Sequence, residues 1–398
     1  MDRQALREFW WRRQGLDGSL AGSGPAQVLA KAGWARSVGG ANPYLTLFAR
    51  AGTAKEEADA AARRLQIHEL PSARGCTYVL PACDYALGLT LSQAHQRSGD
   101  EAMAKRRLGV TEEELQRLCD AVLVALVEGP LEPIALKEKV GGAVRSLGEE
   151  GKKRGLNSTM PLALGRLQSS GQIRRVAAVF DTQRYAYAIW ADGPLRGQKL
   201  EPEEAAILLA KRYFDWLGVA SIANFGWFSG FGVGACKAAL ASVSLREVPG
   251  TDLLATKEAL DELRSWVPLQ DPQVRLVSSL DSLFLHRRDV RSFLDQDDLA
   301  QLSAGEKGLL EVGHLMDLSN NAIVDRGRII GLWEYDQEAG ELVWTTFGEV
   351  PAEVRRAVQE TESFVREQLG DARSFSLDSP KSRRPRIEGL RRMVGVKC

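Results

Sequence analysis

Residues 115–190 read LQRLCDAVLVALVEGPLEPIALKEKVGGAVRSLGEEGKKRGLNSTMPLALGRLQSSGQIRRVAAVFDTQRYAYAIW. Leu115, Leu118, Val122 and Ala125 recur at three-to-four spacing, which predicts a helix over Leu115–Val127. Gly129-Pro130 stops it, a short helix over Pro133–Val140 follows, and Gly141-Gly142 stops that one. Beyond a polar, basic connector (Arg145–Gly155), Asn157-Ser158-Thr159 offers a hydroxyl cap and Pro161 suits a first turn. A further helix then runs to Ser170 and ends at Gly171. The period next falls to two: Ile173–Phe180 and Arg184–Trp190 read as strands joined by Asp181-Thr182-Gln183. Three helices followed by a hairpin predict a winged helix, whose third helix enters the major groove while the hairpin rests on the backbone.

The order recurs on either side. Glu203–Leu217 is an amphipathic helix ended by Gly218, Ser221 caps a short helix through Ser229, and Gly232–Val243 reads as a third. Leu245–Val248 and Leu253–Ala255 flank a Pro249-Gly250 turn. The first hundred residues suggest a less regular copy: helices near Arg3–Arg13, Ala26–Ala32 and Lys55–Gln66, then a strand over Gly75–Leu80. After Asp271, Val274–Ser278 is strand-like and Leu283–Leu294 helical. Ile323–Asp325 and Arg328–Tyr335 straddle an Asp325-Arg326-Gly327 turn, a strong hairpin signal. Leu342–Phe347 extends that sheet, and a helix over Pro351–Leu369 precedes a basic tail that reads as disordered or only partly ordered. The expected fold is α+β: tandem winged-helix (helix-turn-helix) modules followed by a C-terminal β-rich domain. The expected segments are 1–114, 115–192 (basic), 200–270 (acidic), 271–370 (β-rich) and 371–398 (tail).

Composition narrows the function classes. A 398-residue chain with 44% hydrophobic and 26% charged residues is globular and of several domains. Apolar runs such as Cys119–Val127 are too short to span a bilayer, and the N-terminus lacks the pattern of a signal peptide. Five cysteines without a C-x-x-C pair, and four histidines without ligand spacing, signal neither disulfides nor a metal. No ATP or nicotinamide motif is present: Gly230-x-Gly232-x-Gly234 has no strand before it and no acidic partner after it. The expectation is a cytoplasmic, nucleoid-associated monomer without cofactor or metal.

The net charge is zero, but its distribution is uneven. Residues 134–176 hold nine Lys/Arg against three Glu, and residues 379–398 seven against one. Residues 201–271 hold six basic and ten acidic side chains. Double-stranded DNA is therefore the expected partner of the 115–192 segment. Candidate contacts there are Arg145, Lys152, Lys153, Arg154, Ser158, Thr159 and Arg166, with Gln183 and Arg184 at the hairpin tip. Lys152-Lys153-Arg154 reads equally as a solvated linker, and Gln183-Arg184 as a plain turn. Arg74, before Gly75, reads as a structural ion pair or a DNA contact. Most tryptophans, including Trp216, Trp227 and Trp333, sit on apolar faces and read as core, while Trp10, Trp11 and Trp34 are less defined.

Several strings resemble one family. They are Asn42–Arg50 (NPYLTLFAR), Ala73–Ala82 (ARGCTYVLPA), Ala210–Gly230, Leu280–Asp289 (LDSLFLHRRD) and Ile323–Trp333 (IVDRGRIIGLW). Their joint order, over about residues 5–370, resembles the winged-helix DNA-binding family that includes bacterial glycosylases for crosslinked and bulky alkylated DNA. The resemblance implies three winged helices, a β-rich domain and action on alkylated or crosslinked duplex DNA. It also implies a Gln-x-Gln or Gln-x-Asp catalytic triplet just before the Pro43-Tyr44 segment. Here those positions hold Arg36, Ser37 and Val38, with no carboxylate or amide. Arg36 favours anions and repels an oxocarbenium-like sugar, and Ser37 orients a water but is a poor base. Both also read as a tight turn before Gly39-Gly40. An acid would then come from Asp281, which also reads as a helix cap, or from Glu69 or Asp84. The alternative is a DNA-binding or regulatory protein that keeps the fold without the chemistry. A protein-interaction scaffold built on the acidic segment is the third class.

Overall fold

The computed structural model describes residues 2–176, 185–197 and 200–395. The fold is α+β, as expected, with helices interleaved among small antiparallel sheets. Gln183, Arg184 and the expected hairpin tip lie outside the described residues.

Three sheets share one strand order. In the first, Thr77–Pro81 lies between Ala35–Arg36 and Ile67–Pro71. In the third, Leu253–Thr256 lies between Val219–Ser221 and Leu245–Glu247. Between them in sequence, Ala186–Ile189 pairs with Ile173–Val176 and is bridged at Tyr187 by Leu131. Each time a short leading segment pairs with the last strand of a hairpin, and three helices of eight or more residues precede each hairpin. These are Pro25–Ala32, Asn42–Ala51 and Lys55–Arg63, then Glu112–Ala125, Pro133–Val140 and Met160–Ser169, then Pro202–Leu217, Ile222–Ser229 and Val233–Leu240.

Local chemistry accounts for the ends of these helices. Ser221 and Asn224 form a reciprocal cap, and Gly230 stops the helix in a left-handed conformation. The first copy differs from the sequence reading: its middle helix is Asn42–Ala51, Arg3–Arg13 stands outside the repeat, and Ile67–Pro71 is an additional strand. The basic connector contains a short helix, Gly148–Lys153. Thr159 does not cap its helix; its hydroxyl accepts from the Arg145 N–H at 3.1 Å.

The C-terminal sheet runs Glu341–Thr346, Arg328–Asp336, Asn321–Asp325, Val274–Val277. Its central turn has positive φ at both Arg326 (46°) and Gly327 (83°), which the tightest hairpins require. Gly327 is doubly constrained, because a Cβ there would stand 2.4 Å from the Arg7 carbonyl oxygen.

Two expectations are corrected in this region. Leu283–Leu294 is not one helix: Ser282–Leu285 forms a short helix, Arg288 turns left-handed (φ 52°), and Val290–Phe293 makes a 3-10 turn. The basic tail is ordered as a helix, Pro380–Gly395. Ile387 and Leu390 bury its inner face, Arg383 pairs with Asp371 at 2.8 Å, and Arg386 pairs with Glu334 and Asp378. Much of its charge is thus matched internally.

The cores cross the segment boundaries. Phe9, Trp10 and Trp11 pack with Val219, Phe284, Phe293 and Ile329, while Tyr44, Leu45 and Val79 pack with Leu276 and Trp333. The 104–187 stretch keeps a core of its own, built on Leu115, Leu118, Val122, Leu162 and Leu167. No helix among the described residues is long and apolar enough to cross a membrane.

At the centre, Arg50 and Asp281 form an ion pair with both side chains fully buried. Arg50 Nη2 and Nη1 donate to the two carboxylate oxygens at 2.7 and 2.8 Å. Arg50 Nε donates to the Gln14 carbonyl at 2.9 Å, and Arg50 Nη2 also donates to Ser282 Oγ at 2.9 Å. Asp281 in turn accepts from the Leu283 N–H at 2.8 Å, capping the Ser282–Leu285 helix. Asp281→Asn leaves a buried guanidinium without its counter-charge, so denaturant unfolding should show a loss of about 3–5 kcal/mol. Replacing the pair together, Arg50→Met with Asp281→Leu, should recover most of that loss.

Candidate functional site

Where the first and third segments meet loops of the C-terminal part of the chain, a cleft of about 450 Å³ opens. The first sheet contributes Arg36 and Tyr78, which face each other across paired strands, and Arg74 from the turn before Tyr78. The third segment contributes Trp227 and Phe228. The stretch around the buried pair contributes Ser279 and Leu280 before it, and Leu285 and Arg288 after it. Glu306, Asp317, Phe375 and Arg386 complete the rim.

The wall is cationic and aromatic. Arg36 Nη1 donates to the Thr77 carbonyl at 2.6 Å, and its guanidinium lies 5.4 Å from the Tyr78 ring centroid. Arg74 and Arg288 lie 3.6 and 3.9 Å from the Trp227 centroid. Arg288 also pairs with Asp317 at 2.7 Å. Burial pushes the Tyr78 phenol up to about 12, although Arg36 and Arg74 pull the other way, so it stays protonated as a donor. Trp227, read from sequence as core, is half-exposed in the cleft, whereas Trp10, Trp11 and Trp34 are buried.

The residues expected to carry catalysis divide. Arg36 lines the cleft, but strand alternation turns Ser37 to the other face of the sheet, where its hydroxyl donates to Glu69 at 2.9 Å. Asp281 is sealed in its pair with Arg50, and its contacts are those of the helix cap. Asp84 is buried, accepting from Trp34 Nε1 at 2.9 Å and pairing with Arg212 at 3.1 Å. The carboxylates in the cleft are instead Glu306, exposed at the turn of the Leu302–Gly305 and Gly308–Glu311 hairpin, and Asp317.

The expected DNA contacts divide as well. Thr159 is fully buried, and Arg166 is held by Glu101 and Glu112, whose hydrogen bonds raise its affinity for protons. Arg145 chelates Glu114, with bonds of 2.7 and 3.0 Å. These side chains build the segment. Ser158 is half-buried and bridged to Ser146. Lys152, Lys153 and Arg154 are exposed on the Gly148–Lys153 turn, holding only Glu149 and Glu150 one helical turn away. Such surface pairs are weak and exchange readily for a phosphate. Among the described residues, no group of His, Cys, Asp and Glu is placed to hold a metal ion.

A cleft of guanidinium and aromatic groups among helix-and-hairpin segments is the kind of site that proteins handling nucleic acids present. The family model described as DNA glycosylase AlkZ-like matches residues 33–366, and the chain belongs to that family. Among solved structures, the Streptomyces sahachiroi DNA glycosylase AlkZ is similar, with a TM-score of 0.68 and 19% identity. The match covers 94% of this chain and 98% of that one, and it bears on the fold. No curated protein matches the sequence.

The interface of the first sheet with the 104–187 stretch carries a pH dependence. His68 packs on Trp190 at 5.4 Å, and burial, then Arg174 and Arg175, push its imidazole down to about 3. An unfolded chain takes up this proton below about pH 6.5, while the folded chain refuses it until about pH 3. Stability is therefore full above pH 6.5 and falls through that window, by up to about 1.4 kcal/mol per pH unit for one group. His286, also buried and shifted down, acts with the same sign. Unfolding measured between pH 7 and 4 should show a shallower fall for His68→Phe than for the wild type.

Proposed function

We propose that this protein is a DNA-repair protein of the glycosylase type. In this reading its three repeated segments are winged helices, and they seat alkylated or crosslinked duplex DNA against the cleft. The observation that carries the reading is the cleft: cations from three parts of the chain converge with aromatic rings on one concavity, inside a family of DNA glycosylases. The 115–192 segment adds an exposed basic turn, Lys152-Lys153-Arg154, able to hold the backbone while the cleft engages the lesion.

Base release requires a group that stabilises positive charge on the sugar and aligns a water. Arg36 opposes the first task. Glu306 is suited to both, as an exposed carboxylate in the cleft with no ion-pair partner among the described residues. The second reading, DNA binding without base excision, is favoured by Arg36 at a position where the family resemblance implies an amide.

The test is incubation with duplex DNA carrying N7-alkylated guanine, followed by assay of free base and abasic sites. Release should fall about 10²-fold or more in Glu306→Gln. Tight binding without release would move the protein to the second reading. Separately, neutralising Lys152, Lys153 and Arg154 together should flatten the salt dependence of DNA affinity, by about one unit of slope for each phosphate no longer neutralised. An unchanged slope would return the turn to a solvated surface.

A further inference from the structure

Two cations of the cleft, Arg36 and Arg74, are seated on π faces rather than on carboxylates. Arg74 and Arg288 lie so close to the Trp227 centroid, 3.6 and 3.9 Å, that they would overlap on one face. They therefore sandwich the indole. Its two negative faces hold both like charges in place, and Arg74 spends only one long contact, Nη2 to Cys76 Sγ at 3.9 Å, on a hydrogen-bond partner. Arg36 rests on Tyr78 in a similar way, with one donor committed to the Thr77 carbonyl. Arg288 shares Asp317, but no carboxylate among the described residues lies within ion-pair distance of Arg36 or Arg74.

The backbone is bent to achieve this. Arg74 and Arg288 both adopt left-handed φ, 57° and 52°, which a side chain of this size rarely takes. Gly230 makes room for the stem of Arg74, since a Cβ there would come within 2.8 Å of Arg74 Cγ. Strain and a missing side chain thus place both guanidinium groups at one concavity, and of the two only Arg288 is held by a carboxylate.

We infer that the cleft is a phosphate site, in which Arg36 and Arg74 grip the oxygens of one phosphoryl group of a DNA strand beside the Arg288–Trp227 stack. The inference rests on the DNA-binding reading and deepens it. Trp227 has both faces covered, so it serves the guanidinium groups and is closed to base stacking. The planar, doubly donating edge of a guanidinium matches phosphoryl oxygens. The group could come from a diester flanking an extruded nucleotide or from a 5′-phosphate at a strand break.

The experiment uses the full chain and three duplexes: one with a tetrahydrofuran abasic analogue, one nicked with a 5′-phosphate, and one nicked with a 5′-hydroxyl. Affinity is followed against salt for the wild type, for Arg36→Gln with Arg74→Gln, and for Arg36→Lys with Arg74→Lys. The glutamine pair should lower the salt slope by about one unit, and the lysine pair should keep it. A preference for the 5′-phosphate nick that vanishes in the glutamine pair assigns the monoester. Weakening by a single methylphosphonate beside the analogue, seen in the wild type and absent in the glutamine pair, assigns the diester. If no single methylphosphonate weakens wild-type binding and the glutamine pair leaves the slope unchanged, the inference is overturned and DNA binding stands. Absence of wild-type binding to every duplex at about 50 mM salt overturns the DNA-binding reading and this inference with it. The lysine pair is the folding control: binding retained there shows that substitution at both positions is tolerated, and the wild-type response to methylphosphonate is read without any variant.

Discussion

The buried pair of Arg50 and Asp281 constrains most of what surrounds it. Two charges taken wholly out of water must find each other in one geometry, and here every nitrogen of the guanidinium has an oxygen partner. Those partners come from the end of the first helix (Gln14), the Asn42–Ala51 helix and the short helix before Arg288. Gln14 also reaches the Trp216 carbonyl, so the third segment is tied to the same point. Neither end of the chain can shift register without exposing or orphaning a charge. The residues on both sides of Asp281 are cleft walls, so the pair that locks the fold also sets the width of the concavity.

The middle and later repeats were legible in sequence because their signals are local. Apolar spacing, Gly stops and Pro at first turns sit within a few residues of the elements they shape, and the 104–187 stretch keeps its own core. The first repeat was harder to read. Its Asn42–Ala51 helix is buried nearly all round, and its short polar stripe, Asn42, Thr46 and Arg50, meets buried partners rather than water. The Pro380–Gly395 helix was missed for a related reason. Its charges look solvated in sequence, but Arg383 and Arg386 are buried against carboxylates outside the helix, Asp371 and Asp378 just before it and Glu334 in the C-terminal sheet.

The site was legible in part. Arg36 and Arg74 stood out from sequence and line the cleft, whereas Arg288, Glu306 and Asp317 did not, because only tertiary packing brings them there. Asp281 drew attention as an isolated acid, yet sequence could not reveal that Arg50, 231 residues away, closes over it. Arg145 and Arg166 show the same limit: a cluster of basic residues reads as a phosphate surface until the carboxylates opposite are seen. Trp227 erred in the other direction, its apolar neighbours hiding two guanidinium groups stacked on it.

The cleft takes lining from Arg36 near one end of the chain and Arg386 near the other. During synthesis the first sheet can form early, but its concave side stays open until the Pro380–Gly395 helix has emerged and docked. The 104–187 stretch, with its separate core, can fold while the rest is still being made. A nascent chain would thus own its exposed basic turn well before it owned a finished cleft. Contacts of such long sequence separation form late and slowly, so the concavity matures after the parts whose contacts are local.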